Sequence, residues 1–168
     1  MTELPPEACT GFSALQKDIL MIVSVLVSIK EIVERGRDFD WPRPEVCPRC
    51  AGRRVWCHGF VSAFFDDSAH EVFLRRYRCP ECKCVMRARP SGYFERVQAS
   101  VETVRSSIAF RLEHGRWPAG ASRSRQGHWL RSLSRRVCAR FGQGWSKRLL
   151  EGFDQLMLKG ETPVSRRI

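Results

Sequence analysis

Cys47-Pro48-Arg49-Cys50 and Cys79-Pro80-Glu81-Cys82 stand 28 residues apart (51–78) in a chain of 168. Two-residue spacing lets both sulfurs of a pair face one ion, and a hairpin between the pairs would bring four thiolates to tetrahedral positions. The proline after each first cysteine presets a turn, and backbone N–H groups of that turn can donate to sulfur. Soft thiolates in this geometry favour Zn2+. Four of them close the coordination sphere, so one structural zinc ion held by Cys47, Cys50, Cys79 and Cys82 is expected, with no open position for catalysis. Cys57, Cys84 or His58 could replace a ligand; the alternatives are strand cysteines packed as small hydrophobes and a turn histidine before Gly59. Cys9 and Cys138 are isolated, and His70, His114 and His128 lack metal spacing among themselves.

Around the cysteines the pattern is that of strands: Val55 to Phe65, Glu71 to Arg78 and Val85 to Arg89, with Asp66-Asp67-Ser68 as a hairpin turn. Pro90-Ser91-Gly92 ends this unit. The period then becomes helical. Phe94, Val97, Val101, Val104, Ile108 and Leu112 make one apolar stripe closed by Gly115 and Pro118. A second helix is expected from Ser122 or Ser124, burying Leu130, Leu133, Val137 and Phe141. A third runs from Trp145 to about Lys159. Upstream, Leu15, Ile19, Ile22, Leu26, Ile29 and Val33 predict a helix from Ser13 to Gly36, although the Val- and Ile-rich run from Met21 to Ile29 also suits a buried strand. Met21 competes with Met1 as the natural start. The expected class is α+β. Residues 1–43 form an N-terminal helix and linker, 44–90 a zinc ribbon on a small antiparallel sheet, 91–160 a basic all-helical domain of helix-turn-helix type, and 161–168 a tail.

Charge follows this division. The chain carries 29 Lys and Arg against 18 Asp and Glu, and 24 of the basic residues are Arg. Residues 1–46 carry a net −3, residues 47–90 +5 and residues 91–168 +9. Arginine offers a planar fork of donors suited to phosphates and base edges. From Ser122 to Arg140, Arg123, Arg125, Arg131 and Arg135 interleave with Gln126, His128 and Trp129. With the apolar stripe turned inward, these residues are expected to face a major groove, where Arg reads guanine and Gln reads adenine. Arg53, Arg54, Arg75, Arg76 and Arg78 of the ribbon are secondary candidates for phosphate contact.

The run Pro44-Glu45-Val46-Cys47-Pro48-Arg49-Cys50, then Val55-Trp56-Cys57-His58-Gly59-Phe60, then Leu74-Arg75-Arg76-Tyr77-Arg78-Cys79-Pro80-Glu81-Cys82 resembles the N-terminal region of bacterial insertion-sequence transposases and the short bacterial proteins related to them. The resemblance covers residues 44–95 and, more loosely, 95–141. It implies a zinc ribbon ahead of a helix-turn-helix, with Ser122 to Arg131 opening the recognition helix. Ala51 and Lys83 replace the family's knuckle glycines and so must accept a turn conformation that glycine adopts with less strain.

Other functions find little support. The longest apolar stretch, Ile19 to Ile29, falls short of the roughly 20 residues needed to span a bilayer. The acidic N-terminus does not read as a secretory signal. A cytoplasmic, nucleoid-associated protein with reduced cysteines is expected. No catalytic carboxylate pairing, nucleophile elbow or phosphate loop is apparent, and the strand-transfer domain of a transposase has no counterpart, so an enzyme is not expected. The expected partner is double-stranded DNA, with a transposase or a second copy of the chain as further partners and no membrane or small-molecule substrate. The alternatives are a zinc-dependent protein–protein adaptor and a single-stranded RNA or DNA binder, the latter stacking bases on Trp117, Trp129 or Tyr93.

Overall fold

A computed structural model describes residues 20–165, and Ser13 to Ile19 of the expected first helix lie outside them. The described chain is α+β. Its sheet has four strands: β1 (Leu20–Val25), β2 (Trp56–Ala63), β3 (Val72–Arg78) and β4 (Val85–Pro90), in the order β1-β4-β3-β2. β2, β3 and β4 form an antiparallel meander, matching the expected strands to within two residues at each end. Tyr77 lies opposite Cys57 on one side and Met86 on the other. The register slips between Cys57 and Phe60, where Gly59 takes a φ of 78°. A bulge there needs a residue that tolerates the left-handed region.

The long N-terminal helix is corrected. Leu20–Val25 is a strand running parallel to β4, with Leu20 opposite Val85 and Val25 opposite Pro90. Helix begins only at α1 (Ile29–Arg35). β1 is an edge strand whose Met21, Val23 and Val25 pack on the first core while Leu20 and Ile22 add apolar residues on the other face, and such a run can coincide with a helical stripe. The mixed sheet replaces the purely antiparallel one expected of the ribbon. Residues 20–43 are also not a separate unit. Ile29, Ile32 and Trp41 share one core with Leu74, Tyr77, Met86 and Ala88. The Tyr77 hydroxyl lies 3.1 Å from the carbonyls of both Trp41 and Pro42, fixing the linker over the sheet.

Three helices enclose a second core. α2 (Val101–His114) starts at Ser100, whose Oγ accepts from the Thr103 N–H at 3.1 Å, and ends at Gly115 with a φ of 68°. Phe94 and Val97 precede α2 instead of extending it, yet both reach the core. α3 (Arg123–Phe141) is capped by Ser122. The expected third helix is divided into a 3-10 turn, Gln143–Lys147, and α4 (Leu149–Leu158). Val104, Ile108, Trp129, Leu133, Val137, Phe153 and Leu156 fill the interior. The Arg105 guanidinium grips Asp154 with bonds of 2.8 and 2.7 Å, tying α2 to α4. Residues 161–165 are no loose tail: Val164 is fully buried and the Ser165 N–H donates to Ser132 Oγ at 3.0 Å.

The two cores meet through the β2–β3 turn. Asp66 receives Arg125 at 2.7 Å, Asp66 N–H donates to Gln98 O at 3.0 Å, and the Tyr93 hydroxyl donates to Asp67 at 2.6 Å. Among the described residues no helix is long and apolar enough to cross a membrane.

Candidate metal centre and arginine surfaces

The two cysteine pairs fold as copies of one knuckle. Ala51 N–H donates to Cys47 O at 2.8 Å, and Lys83 N–H donates to Cys79 O at 3.1 Å. Cys47 N–H reaches Gly52 O at 2.8 Å, and Cys79 N–H reaches Cys84 O at 3.1 Å. Ala51 and Lys83 adopt φ values of 57° and 61°, the left-handed conformation that their position in each turn requires. The Arg49 side chain joins the knuckles by donating to Cys82 O at 3.3 Å.

This duplication brings the Sγ atoms of Cys47, Cys50, Cys79 and Cys82 within 4.8 Å of one another. The Cys47–Cys82 and Cys50–Cys79 separations are both 3.6 Å. A tetrahedral ion with metal–sulfur bonds of about 2.3 Å would hold its ligands about 3.8 Å apart, so the cluster fits such an ion. Burial pushes the Cys47 thiol up. N–H groups of Cys50 and Arg49 and the neighbouring sulfurs more than offset this, bringing it down to about 6. The N–H of Gly52 favours the Cys50 thiolate, but burial and the three other ligand sulfurs together push that thiol up to about 12. The backbone N–H of Cys84 also holds the Cys82 thiol below its ordinary range, so Cys47 and Cys82 are favoured as thiolates while Cys50 resists, a conflict that a bound cation would remove.

Cys84 is the near alternative. It is buried, and its sulfur lies 3.4 Å from Cys47 Sγ, but it stands outside the four-sulfur cluster. Burial, followed by the Cys47 and Cys82 sulfurs, pushes its thiol up to about 12, consistent with a neutral neighbour. Cys57 and His58 lie on β2 and also stand outside the cluster.

The arginine candidates divide. Arg123, Arg131 and Arg135 are exposed on α3, and no carboxylate of the described residues pairs with them. Arg125 pairs with Asp66 and lies over the Trp129 ring at 5.3 Å. Gln126 must be corrected. It is 1% exposed, accepts from Ser107 Oγ at 2.7 Å, and donates to the carbonyls of Pro118 and Ala121. It braces α2, the connecting loop and α3, and so is not presented to a groove. Trp129 is likewise buried, so it offers no stacking surface. His128 Nε2 lies 2.7 Å from Ser165 O.

On the ribbon, Arg53 and Arg54 are exposed in the loop after the first knuckle. Arg75 lies over the Phe60 ring at 4.5 Å. Arg76 is directly opposite Arg87, and strand alternation places Arg78 and Arg89 on that same face, away from Arg75. Arg87 and Arg89 were not among the expected contacts. Their alternation with Arg76 and Arg78 is visible in sequence, but the register joining the two pairs is not. No protein-family model, curated protein or solved structure matches the chain.

Proposed function

We propose that the chain is a non-catalytic DNA-binding protein whose ribbon is organised by one structural Zn2+, in the manner of the N-terminal regions of insertion-sequence transposases. The observation carrying this reading is the outward face of α3, where Arg131 and Arg135 stand one turn apart, with Arg123 two turns ahead of Arg131, all without carboxylate partners among the described residues. Their charge meets phosphates, and their forked donors are free for guanine edges. Arg125 and Gln126 serve the fold, holding α3 against the sheet and α2. α2 and α3, joined by residues 115–122, act as the helix-turn-helix-like pair, and Arg53 and Arg54 add phosphate contacts from the ribbon. Zinc is favoured over other ions by an all-thiolate tetrahedral donor set.

Titration of duplex DNA at rising salt tests the reading. A protein neutralising about 6–10 phosphates should lose roughly 10³–10⁵ in affinity between about 50 and 200 mM salt. Absence of binding at the low-salt end would sink it. Elemental analysis of protein purified without added metal should find about one zinc per chain. Retention of that zinc after Cys79→Ser and Cys82→Ser together would overturn the ligand assignment.

A further inference from the structure

We infer that Arg76, Arg78, Arg87 and Arg89 form a phosphate-binding seat on the β3–β4 face, with Trp56 at its open end. The inference rests on the nucleic-acid reading above and moves the principal backbone contact from α3 to the sheet.

The Nε atoms of all four arginines are buried without a hydrogen-bond partner among the described residues. No described carboxylate lies within ion-pair distance of any of them. Nearby acids are engaged elsewhere: Asp66 with Arg125, Asp67 with Tyr93 and Glu95 with Arg96. A buried charged donor left unpaired opposes folding, and four like charges on neighbouring strands also repel one another. An anion laid across them would satisfy both conditions.

The face is held in place before any ligand arrives. Arg89 is 8% exposed, donates to Val97 O at 2.6 Å and lies over the Phe65 ring at 4.9 Å. Arg87 and Arg89 also line a cavity of about 460 Å³, together with Arg96 and His128. At the other end Trp56, directly opposite Arg78, is 57% exposed. Arginines two residues apart on a strand stand about 6.8 Å apart, so the face offers donors at regular intervals rather than at one point. Repeated oxyanions beside a base that can stack on an indole match this arrangement, and phosphodiester backbone supplies both.

The test uses the full, zinc-loaded chain. Arg76→Met with Arg87→Met keeps the side-chain stems and removes the charged heads. Binding of a labelled duplex and of its separate strands is measured by anisotropy over a salt series, with Arg131→Gln plus Arg135→Gln as the comparison variant. The sheet variant should lose about tenfold in affinity at low salt, and its salt slope should fall by about 2, one for each phosphate contact removed. Its melting temperature without ligand should equal or exceed that of the parent, because an unpaired buried donor has been removed.

A lower melting temperature with an unchanged salt slope would show that the arginines serve the fold, overturning the seat. Full-slope binding by the sheet variant, lost only in the α3 variant, would overturn the seat while keeping the nucleic-acid reading. Tripolyphosphate separates the remaining case. If it raises the melting temperature of the parent but not of the sheet variant, while no oligonucleotide binds, the seat stands and the nucleic-acid reading falls. If neither probe acts on the parent, both fall.

Discussion

On the sheet face opposite the arginine ladder, Arg43 Nη2 donates to Cys57 Sγ at 3.1 Å. Cys57 and Arg75 both border a cavity of about 530 Å³ beneath the linker. A hydrogen bond from Arg75 is the largest influence on this thiol; burial opposes it, Arg43 reinforces it, and the net effect holds the thiol below the ordinary cysteine range. Lowering the pKa enlarges the thiolate fraction at neutral pH, and the thiolate is the form that reacts. Peptide-resolved alkylation at pH 7 should therefore modify Cys57 faster than a free thiol. Arg75→Met should slow it severalfold and move the midpoint of its pH profile upward; equal rates in the two proteins would refute the electrostatic account. The knuckles supply a second test at this scale. Lys83 holds a φ of 61°, which a side chain resists and glycine does not. Lys83→Gly should raise stability by up to about 1 kcal/mol with metal affinity unchanged, as read by denaturant midpoint and competitive chelation.

Among the elements, α3 and α4 pack tightly at Gly152. A methyl group added to Gly152 would lie 2.6 and 2.7 Å from the two Val137 methyls, both inside the second core. These atoms belong to a short branched side chain that cannot swing away. Gly152→Ala should cost about 1–3 kcal/mol, measured as a fall in denaturant midpoint at constant slope. An unchanged midpoint would mean that the helices separate freely. The elements also show what sequence can reveal. β2, β3 and the helix cap at Ser122 were legible because alternation, turn residues and capping spacing are local signals, whereas the cap at Ser100 was hidden by Phe94 and Val97, which continue the apolar spacing of α2 ahead of its true start. β1 was ambiguous because its partner lies some 65 positions away at Val85–Pro90, and Leu20 and Ile22 on its face away from the first core are as apolar as Met21, Val23 and Val25 on the packed face, so alternation does not betray its period. Gln126 was misread for a related reason. It continues the spacing of Trp129, Leu133 and Val137, but its polarity pointed outward, and the Ser107 hydroxyl and loop carbonyls that satisfy it are brought in only by folding. The clustering of the four cysteines was legible, because two like knuckles need only a hairpin between them. The arginine face was half legible: each strand shows its own alternation, and only the Arg76–Arg87 register joins them.

At the scale of the molecule, the two cores would depend on a metal bound at the four cysteines to different degrees. The first contains Cys47, Cys79 and Cys84 among its buried members, so two of the sulfurs that could hold a metal are also part of its packing. Without an ion, ionisation of Cys47 sets the neighbouring sulfurs against one another, and the link between residues 47–50 and 79–82 reduces to thiol contacts and the Arg49 bond to Cys82 O. The second core is built from helices whose caps, ion pair and apolar contacts involve no metal ligand. Chelation of the full chain should thus produce two thermal transitions where the loaded protein shows one. The earlier should carry the near-ultraviolet signal of Trp41 and Tyr77, with helical circular dichroism largely kept until the later. Acidification should act in the same direction, since protons compete with metal for thiolates, and metal release should precede loss of helix as pH falls. Because the proposed seat of Arg76, Arg78, Arg87 and Arg89 stands on β3 and β4, within the sheet of the first core, melting that core should also dissolve the seat. Phosphate-dependent stabilisation should therefore vanish on chelation before any helix is lost. A chelated protein that keeps one cooperative transition, and still responds to tripolyphosphate, would show that the sheet stands without its metal.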